Sequence, residues 1–417
     1  MSTYHITAPG QLQASITPPA SKSISNRALI ICALTGCHDQ LQNLSNCDDT
    51  DVIIKALRDM PPVIDIKAAG TAMRFMAAYL SATESGTHLL TGTERMQHRP
   101  IKVLVDALRL LGADIEYAGE EGFPPLRING HRLQGGEITV DGGISSQFIS
   151  ALLLIGPLLK GGLKVCMRGD IVSRPYIDLT LWTMSEFGAD ATWTGVGEIT
   201  VRPKSYVPRA YIIENDWSAA SYWYEMMALT PDSEACVELT GLMDGSKQGD
   251  SGVRYLFSLL GVKTTFATRE PGVPTTVILR KSSHRVPRLE YDFSGAPDLA
   301  QTFVVCCALM GVHFHFEGLQ TLQIKETNRI EALKREMRKL GYVVHDTDGH
   351  ILWWDGERCD PQQEPIDTYD DHRMALAFAP ASLVAPIDIR HPEVVTKSYP
   401  NYWGDLRTAG FRIEEKE

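Results

Sequence analysis

A unit of about seventy to eighty residues recurs along this chain, and the recurrence constrains the fold more than any other feature. In each copy a short polar cluster opens an apolar helix, and an amphipathic helix that ends in glycine follows. These glycines are 76, 73, 80 and 69 residues apart. They are Gly112, Gly188, Gly261, Gly341 and Gly410. Glycine suits the left-handed residue that closes a helix, so each one predicts a helix end.

Six polar clusters mark the predicted starts of the apolar helices. They are residues 21–27, 70–74, 145–147, 216–218, 297–298 and 370–373. The runs that follow, such as 148–155 and 303–310, carry few charges, which indicates helices that are buried on all sides. One further copy, near residues 57–61, lacks the glycine and is shorter. Because the repeat is longer than that of the common solenoids, we expect an α/β protein of two compact domains with three units each.

Composition and charge exclude several classes of protein. The chain has 417 residues, of which 44% are hydrophobic and 22% charged, as expected for a globular protein of two or three domains. A formal net charge of −11 argues against non-specific binding to nucleic acid. No apolar run approaches the roughly 20 residues of a membrane span, and residues 1–10 show no secretory signal pattern. Eight scattered cysteines without a paired framework predict free thiols and a cytoplasmic location.

Cations stand at several helix starts, where they oppose the helix dipole. Lys325 and Arg329 are four residues apart and so share one side of their helix start. Repeated departure from a local preference often marks function. We therefore expect distant helix starts to converge on one strongly positive cleft. Its cations would be Lys22, Arg27, Arg74, Arg99, Lys325, Arg329, Arg373 and Lys397.

Two acids lie among these cations. Asp298 begins a buried helix, and Glu326 lies between Lys325 and Arg329. A helix cap for Asp298 and an ordinary surface ion pair for Glu326 are the structural alternatives. In a cleft lined with cations, however, a carboxylate is well placed to transfer protons.

Seven segments, in order along the chain, resemble the signature segments of the 5-enolpyruvylshikimate-3-phosphate synthases (3-phosphoshikimate 1-carboxyvinyltransferases) of the enolpyruvyl transferase family. They are residues 21–28, 69–74, 99–101, 141–148, 325–327, 371–375 and 396–397. The resemblance extends from about Pro9 to Phe411 and implies a two-domain inside-out α/β barrel. Each domain would hold three βαβαββ repeats, with the active site in the interdomain cleft. We expect an N-terminal domain over 17–214, with a shortened first repeat, and a C-terminal domain over 1–16 and 215–417.

The resemblance also implies an activity in the shikimate pathway, which supplies chorismate and the aromatic amino acids. Such an enzyme transfers the enolpyruvyl group of phosphoenolpyruvate to the 5-hydroxyl of shikimate 3-phosphate and releases phosphate. The reaction proceeds by addition and elimination through a tetrahedral intermediate. The resemblance implies no metal, no organic cofactor, a monomer, and these two small molecules as partners. His313 and His315 are the one close histidine pair, and their alternation predicts strand surface rather than metal ligands.

Site residues carry over from the resemblance position by position. Asp298 would be the base for the 5-hydroxyl, and Glu326 would donate a proton to the methylene carbon with help from Lys22. Shikimate 3-phosphate would bind Lys22, Ser23, Arg27, Ser145, Ser146, Gln147, Ser173, Tyr176, Asp298, Thr321 and Lys325. Phosphoenolpyruvate would bind Lys22, Gly70, Arg99, Gln147, Arg329, Arg373 and Lys397. Thr71, Arg74 and His372 would support the site.

Two other functions are compatible with the same scaffold. One is enolpyruvyl transfer to UDP-N-acetylglucosamine, and the other is anion binding without catalysis. The Ser21-Lys22-Ser23 opening and the paired Ser145-Ser146 favour a small phosphorylated substrate over a nucleotide sugar. Two acids among the cations favour catalysis over binding alone. Departures from the family pattern occur at Ala68, Phe75 and Thr321.

Overall fold

Helices and strands alternate throughout the computed structural model, which describes residues 2–36, 40–270 and 272–416. The helices are α1 (Lys22–Thr35), α2 (Asp48–Asp59), α3 (Gly70–Ala82), α4 (Glu94–Gln97), α5 (Lys102–Leu110), α6 (Ser146–Ile155), α7 (Arg174–Glu186), α8 (Trp217–Leu229), α9 (Val253–Ser258), α10 (Ala300–Met310), α11 (Arg329–Lys339), α12 (His372–Phe378) and α13 (Tyr402–Thr408). The strands are β1 (Thr3–Thr7), β2 (Gln13–Ile16), β3 (Leu41–Gln42), β4 (Val63–Asp65), β5 (Gly86–Thr91), β6 (Asp114–Tyr117), β7 (Leu126–Gly130), β8 (Gly136–Asp141), β9 (Leu163–Arg168), β10 (Ala191–Gly195), β11 (Glu198–Val201), β12 (Tyr211–Ile212), β13 (Cys236–Leu242), β14 (Leu260–Phe266), β15 (Thr275–Arg285), β16 (Arg288–Asp292), β17 (His313–Glu317), β18 (His345–Thr347), β19 (Ile351–Trp354), β20 (Ile387–Arg390) and β21 (Arg412–Lys416).

The chain divides into two compact units. The N-terminal unit comprises Ser21–Ile213, and the C-terminal unit comprises Met1–Ala20 with Glu214–Glu417. Both mix helices with strands, so the predicted α/β class is confirmed. The three-repeat organisation of each domain stays a prediction.

The N-terminal unit combines two four-stranded sheets with one short sheet. Their strand orders are β4-β5-β7-β6, β10-β11-β9-β8 and β12-β3. Pairs β4–β5 and β8–β9 are parallel, whereas the other pairs of the four-stranded sheets are antiparallel. The apolar helices α1, α3 and α6 pack against one another, and α7 packs on α1 and α6. These helices bury apolar side chains on nearly every face, as their low charge predicted.

The C-terminal unit has the sheet orders β14-β15-β13-β2, β16-β17-β19-β18 and β20-β1-β21. Its apolar helix α10 lies against α8 and α12. Large aromatic side chains fill the core, among them Trp217, Trp223, Phe257 and Phe303. His313 and His315 lie on β17, as their alternation predicted.

The predicted helix boundaries are largely confirmed. Side chains of Ser21, Ser145, Asp216 and Asp371 cap α1, α6, α8 and α12 by accepting backbone N–H groups. All five predicted glycines have positive φ, between 78° and 101°. Four of them directly follow the C-cap residue of a helix, whereas Gly261 lies within β14, three residues after the end of α9. Asp298 is different, because it lies in the 3-10 turn Pro297–Leu299 and no side chain caps α10. The capping alternative for Asp298 is therefore wrong.

The sequence predicts free thiols and no membrane-spanning helix. Seven cysteines lie in the described residues and all are free thiols, four of them buried; Cys37 lies outside the described residues. Among the described residues, none of the helices has the length and apolar character that crossing a bilayer requires.

Candidate active site

The predicted site residues are distributed over both units. In the N-terminal unit they are Lys22, Ser23, Arg27, Gly70, Thr71, Arg74, Arg99, Ser145, Ser146, Gln147, Ser173 and Tyr176. In the C-terminal unit they are Asp298, Thr321, Lys325, Glu326, Arg329, His372, Arg373 and Lys397.

In the C-terminal unit, Arg329 is the centre of a cluster of charged side chains. Its guanidinium donates to Asp298 (Nη1 to Oδ1, 2.9 Å), to Glu326 (Nη2 to Oε2, 3.0 Å) and to Asp371. The last contact has two hydrogen bonds, at 2.7 and 3.1 Å. Only 2% of the Arg329 side chain is exposed, so three carboxylates meet one desolvated cation. Burial lowers the pKa of Arg329, but the three carboxylates outweigh it and raise that pKa above its ordinary value.

Asp298 is held from several sides by cations. Besides Arg329, Arg373 donates to its Oδ2 at 3.0 Å and to its backbone carbonyl at 3.2 Å. Lys325 Nζ lies 3.5 Å from Oδ1. Burial raises the pKa of Asp298, but Arg373, Lys325 and Arg329 outweigh it and hold that pKa well below the usual range. Asp298 is therefore an anion at neutral pH and can accept a proton.

Glu326, the second acid, is also held by two cations. Its Oε2 accepts from Arg329, and its Oε1 lies 3.0 Å from Nζ of Lys397, at the end of the 3-10 turn Pro392–Lys397. Its side chain is 15% exposed, so the surface-pair alternative does not describe it. One guanidinium thus bridges the two predicted proton-transfer residues, since Asp298 and Glu326 are both in contact with Arg329. We call Asp298, Lys325, Glu326, Arg329, Asp371, Arg373 and Lys397 the acid–base cluster.

Two further predicted residues border this cluster. His372 is buried, with Nδ1 at 3.6 Å from Oδ1 of Asp371. Thr321 lies in the 3-10 turn Gln320–Ile324, and its buried hydroxyl has no hydrogen-bond partner among the described residues. A buried hydroxyl without a hydrogen-bond partner lowers the stability of the fold unless a ligand completes its hydrogen bonds.

In the N-terminal unit, Lys22 is the first residue of α1. Its Nζ lies 3.1 Å from Oδ2 of Asp49, which is in the first turn of α2. The side chains of Lys22 and Asp49 are 16% and 7% exposed. Asp49 therefore restricts where the Lys22 ammonium can lie.

Arg27 is buried, and its described hydrogen bonds all go to neutral acceptors. Its guanidinium donates to Thr180 Oγ1 (2.7 Å), Ser150 Oγ (3.1 Å) and the carbonyls of Ser23 (2.8 Å) and Tyr176 (3.1 Å). No carboxylate of the described residues forms an ion pair with it. Burial lowers the pKa of Arg27 to about 10, and Tyr176 offsets this in part. Its charge is retained at neutral pH without a neutralising acid, while its position joins α1 to α6 and α7.

Gly70 is enclosed by two guanidinium groups. Arg74 Nη1 donates to the Gly70 carbonyl at 2.7 Å. A Cβ atom on Gly70 would lie 2.7 Å from Nη1 of Arg99 and 2.8 Å from Nη1 of Arg74. The Nε group of Arg99 is buried and has no acceptor among the described residues. Glycine is thus required here for close approach, and Arg99 retains a donor that no described residue uses.

The remaining predicted residues of this unit lie at the starts of α3, α6 and α7. Gln147 Nε2 donates to Thr71 Oγ1 at 3.1 Å, which connects α6 with α3. Ser145 caps α6, and Ser146 is its first residue. Ser173 precedes α7 in a left-handed conformation with φ of 55°. For a residue other than glycine this backbone is strained, which often accompanies a functional site.

The sequence assigns no role to two of the residues that make these contacts. Asp49 and Asp371 each hold a predicted site cation, Lys22 and Arg329 respectively. Asp371 belongs to the polar cluster 370–373, which the sequence identifies as a helix start, but the sequence does not predict its ion pair with Arg329.

Comparison with solved structures defines the class of the fold. The chain matches an EPSP synthase from Acinetobacter baumannii with a TM-score of 0.78 at 22% identity, over 100% of both chains. It also matches the enolpyruvyl transferase NikO from Streptomyces tendae with a TM-score of 0.73 at 15% identity, over 100% of this chain and 99% of that one. The fold is that of the enolpyruvyl transferases.

Sequence comparison is more specific. The family model of EPSP synthase (3-phosphoshikimate 1-carboxyvinyltransferase) matches residues 6–61 and 59–406. A curated 3-phosphoshikimate 1-carboxyvinyltransferase of Bacteroides fragilis is 58% identical over 416 residues, covering 99% of each chain. One of Photobacterium profundum is 32% identical, covering 97% of this chain and 98% of its own. The chain belongs to the EPSP synthase family and is a transferase, as the sequence predicted.

Proposed function

We propose that this protein transfers the enolpyruvyl group of phosphoenolpyruvate to the 5-hydroxyl of shikimate 3-phosphate and releases phosphate. The observation that carries the proposal is the acid–base cluster, in which one buried guanidinium bridges Asp298 and Glu326. Two carboxylates fixed close together can serve the two proton transfers that addition and elimination require. The 58% identity to a curated 3-phosphoshikimate 1-carboxyvinyltransferase supports the choice of substrates.

In the addition step, Asp298 accepts the proton of the 5-hydroxyl as that oxygen attacks C2 of phosphoenolpyruvate. Glu326, which enters this step in its protonated form, donates that proton to C3, so the methylene carbon becomes a methyl group and Glu326 becomes a carboxylate. Asp298 is in the ionised form that a base requires, because Arg373, Lys325 and Arg329 hold its pKa down against its burial. Lys22 assists the transfer to C3.

In the elimination step, Glu326 takes a proton back from the methyl group as the bond between C2 and the phosphate oxygen breaks. The double bond forms again, and the proton held by Asp298 leaves with inorganic phosphate. Both carboxylates are thereby restored to their starting states. No proton is gained or lost by the enzyme over one turnover.

Binding of the two anions would be shared among the predicted cations and helix starts. Phosphoenolpyruvate would be held by Lys22, Gly70, Arg99, Gln147, Arg329, Arg373 and Lys397. The forked guanidinium of the arginines suits carboxylate and phosphate oxygens. The unused Nε donor of Arg99 supports this assignment. Fixed charge of this kind is usually the largest contribution to catalysis.

Shikimate 3-phosphate would be held by a second set of residues, which shares Lys22 and Gln147 with the first. They are Lys22, Ser23, Arg27, Ser145, Ser146, Gln147, Ser173, Tyr176, Thr321 and Lys325. Asp298, the proposed base, would also contact this substrate. Arg27 would act through its unneutralised charge, because its described hydrogen bonds all go to neutral acceptors. The unpartnered hydroxyl of Thr321 supports a ligand contact there. A monomer in the cytoplasm belongs to the same proposal, and the free thiols support a reducing compartment.

An assay of phosphate release tests the function. With phosphoenolpyruvate present, we expect release with shikimate 3-phosphate and none with UDP-N-acetylglucosamine, and mass spectrometry should detect the enolpyruvyl ether. Release only with the nucleotide sugar would establish the alternative transferase. Binding of both anions without release would establish a non-catalytic protein.

A substitution tests the proposed base. Asp298→Asn keeps the size of the side chain and removes the proton acceptor, so we expect kcat to fall by about 10²–10⁴-fold. Affinity for shikimate 3-phosphate should stay within about tenfold, as expected for a residue that acts mainly in the transition state. Asp355→Asn, which alters an exposed carboxylate of the same unit, is the control. A collapse of affinity together with kcat would make Asp298 chiefly a binding residue.

A further inference from the structure

Helix α8 is apolar except for a stripe of polar residues. Ser218, Ser221, Tyr222 and Glu225 occupy positions i, i+3, i+4 and i+7, which places them on one side of the helix. All but Ser218 are fully or almost fully buried. Polar groups inside an otherwise apolar helix are costly unless they have partners, so each one requires an explanation.

Tyr222 finds its partner in the acid–base cluster. Nη1 of Arg373 donates to the Tyr222 hydroxyl at 3.3 Å. The other described hydrogen bonds of this guanidinium go to Asp298, at Oδ2 and at the backbone carbonyl. The ring of Tyr222 packs edge-on against that of Tyr402, with centroids 6.1 Å apart. The phenol therefore has a fixed position from which to hold one edge of the Arg373 guanidinium.

A phenol holds an arginine without neutralising it. Burial raises the pKa of Tyr222 to about 12, although Arg373 and Arg329 draw it down. The hydroxyl thus stays neutral at physiological pH and accepts a hydrogen bond without supplying a negative charge. Arg373 already pairs with Asp298. A second carboxylate in the place of the phenol would have oriented Arg373 too, but it would have reduced the positive charge that attracts an anion.

We propose that Tyr222 is a positioning residue, which orients the Arg373 guanidinium for the carboxylate or phosphate of phosphoenolpyruvate. The proposal rests on the proposed function and adds to it a residue outside the predicted site. Tyr222 acts through Arg373, so it affects the binding of phosphoenolpyruvate. The proposed base Asp298, which Arg373 also contacts, keeps Arg329 and Lys325 as partners. Bidentate recognition depends on the plane of the guanidinium, which makes its orientation important for affinity.

The same helix supplies a matched control. Tyr224 is also buried in α8, and its hydroxyl makes one hydrogen bond, to Thr264 Oγ1 at 3.1 Å. No described hydrogen bond connects it with the acid–base cluster. Tyr222→Phe and Tyr224→Phe therefore each remove one buried hydroxyl, and only the first removes a contact to Arg373.

Steady-state kinetics of the full-length protein test the proposal. For Tyr222→Phe we expect the KM for phosphoenolpyruvate to rise about tenfold, which corresponds to one charge-assisted hydrogen bond of modest strength. The kcat and the KM for shikimate 3-phosphate should stay within about twofold of wild type. Tyr224→Phe should leave all three constants unchanged and lower the melting temperature about as much as Tyr222→Phe does.

An unchanged KM for phosphoenolpyruvate in Tyr222→Phe would overturn the proposal, and so would equal effects of the two variants. Should Tyr222→Phe fold poorly, Tyr222→His retains a polar group and can be compared by the same constants. Arg373→Lys allows a double-mutant cycle. If Tyr222 acts through Arg373, adding Tyr222→Phe to Arg373→Lys should raise the KM for phosphoenolpyruvate little further. If wild type and Tyr224→Phe both fail to turn over, the proposed function has failed rather than the role of Tyr222.

Discussion

Arg329 and Asp371 form an ion pair with two hydrogen bonds, 2.7 Å from Nε to Oδ2 and 3.1 Å from Nη2 to Oδ1. Neither side chain is exposed by more than 2%. Asp371 Oδ1 also accepts the backbone N–H of Arg373 at 3.0 Å. Asp371 therefore fixes both the guanidinium that bridges Asp298 and Glu326 and the start of α12.

Asp371→Asn tests how much this pair contributes. The amide keeps an oxygen that can cap α12 but removes the charge that compensates Arg329. We expect the free energy of unfolding to fall by about 3 kcal/mol, the lower end for a broken buried pair, because Asp298 and Glu326 remain on Arg329. A small displacement of the bridge should lower kcat/KM about 10²-fold.

Urea unfolding and steady-state kinetics measure these two effects. The control is Asp370→Asn, which alters the exposed neighbour in the sequence and should change neither quantity appreciably. If Asp371→Asn is as stable and as active as Asp370→Asn, then Asp371 does not hold the bridge.

The helix starts could be predicted from the sequence because their signals are local. Ser21, Ser145 and Asp216 cap their helices within two or three residues of their own positions, and such short-range contacts follow from side-chain chemistry. The closing glycines are recognisable for the same reason. The charge-rich character of the site could also be predicted, since cations at helix starts depart from a general preference.

The pairing within the site could not be predicted, because it depends on distant parts of the chain. Asp371 resembles an ordinary helix cap, and only the fold shows that it also meets Arg329, 42 residues earlier. The partners of Arg27 could not be predicted either. Since α1 is apolar on nearly every side, its sequence does not reveal that Arg27 is directed at α6 and α7.

Gly70→Ala should weaken the binding of phosphoenolpyruvate while leaving the protein folded. The new Cβ would lie 2.7 Å from Arg99 Nη1 and 2.8 Å from Arg74 Nη1, and both are ends of flexible side chains that can move aside. The φ of Gly70 is not positive, so alanine suits the helix and stability should change by less than about 1 kcal/mol. We expect the KM for phosphoenolpyruvate to rise about tenfold or more because Arg99 is displaced.

Gly252→Ala provides the comparison, since a Cβ at that glycine meets no heavy atom within 4 Å. It should leave both KM values unchanged. A Gly70→Ala enzyme with the wild-type KM for phosphoenolpyruvate would mean that Arg99 does not bind that substrate.

Lys22→Met should remove most of the turnover. The substitution keeps the apolar stem, deletes the ammonium and leaves the nearly buried Asp49 without this partner. Loss of one fixed donor that stabilises developing charge typically lowers kcat by about 10²–10³-fold. The KM should rise for both anions, because Lys22 is assigned to both.

Lys55→Met is the control for this substitution. Lys55 lies on α2, exposed, and pairs with Asp51 one turn earlier. It should behave as wild type in kinetics. Equal kinetics of the two variants would remove Lys22 from the proposed site.

Glu214 makes stability depend on pH. It is buried, and its Oε1 accepts the Ser246 hydroxyl at 2.7 Å. Burial raises the pKa of Glu214 from 4.5 to about 7, although Ser246 and Gln248 offset part of this effect. Between these two values the folded protein retains a proton that the unfolded chain releases. The contribution of Glu214 to stability is therefore present below pH 4.5 and is lost as the pH rises towards 7.

Glu214→Gln tests this dependence, because the amide mimics the protonated acid at every pH. At about 1.4 kcal/mol per pKa unit, we expect the variant to gain up to about 3 kcal/mol relative to wild type between pH 4.5 and pH 8. Urea unfolding at several pH values measures the difference in the free energy of unfolding between variant and wild type. Contributions of other titrating groups, such as Asp250, are the same in both proteins and cancel in this difference. Glu290→Gln, at an exposed strand position, should follow the wild-type curve. If the free energy of unfolding of Glu214→Gln and of wild type changes with pH in parallel, Glu214 is ionised in the folded protein at neutral pH. Its carboxylate would then be better solvated than its burial implies.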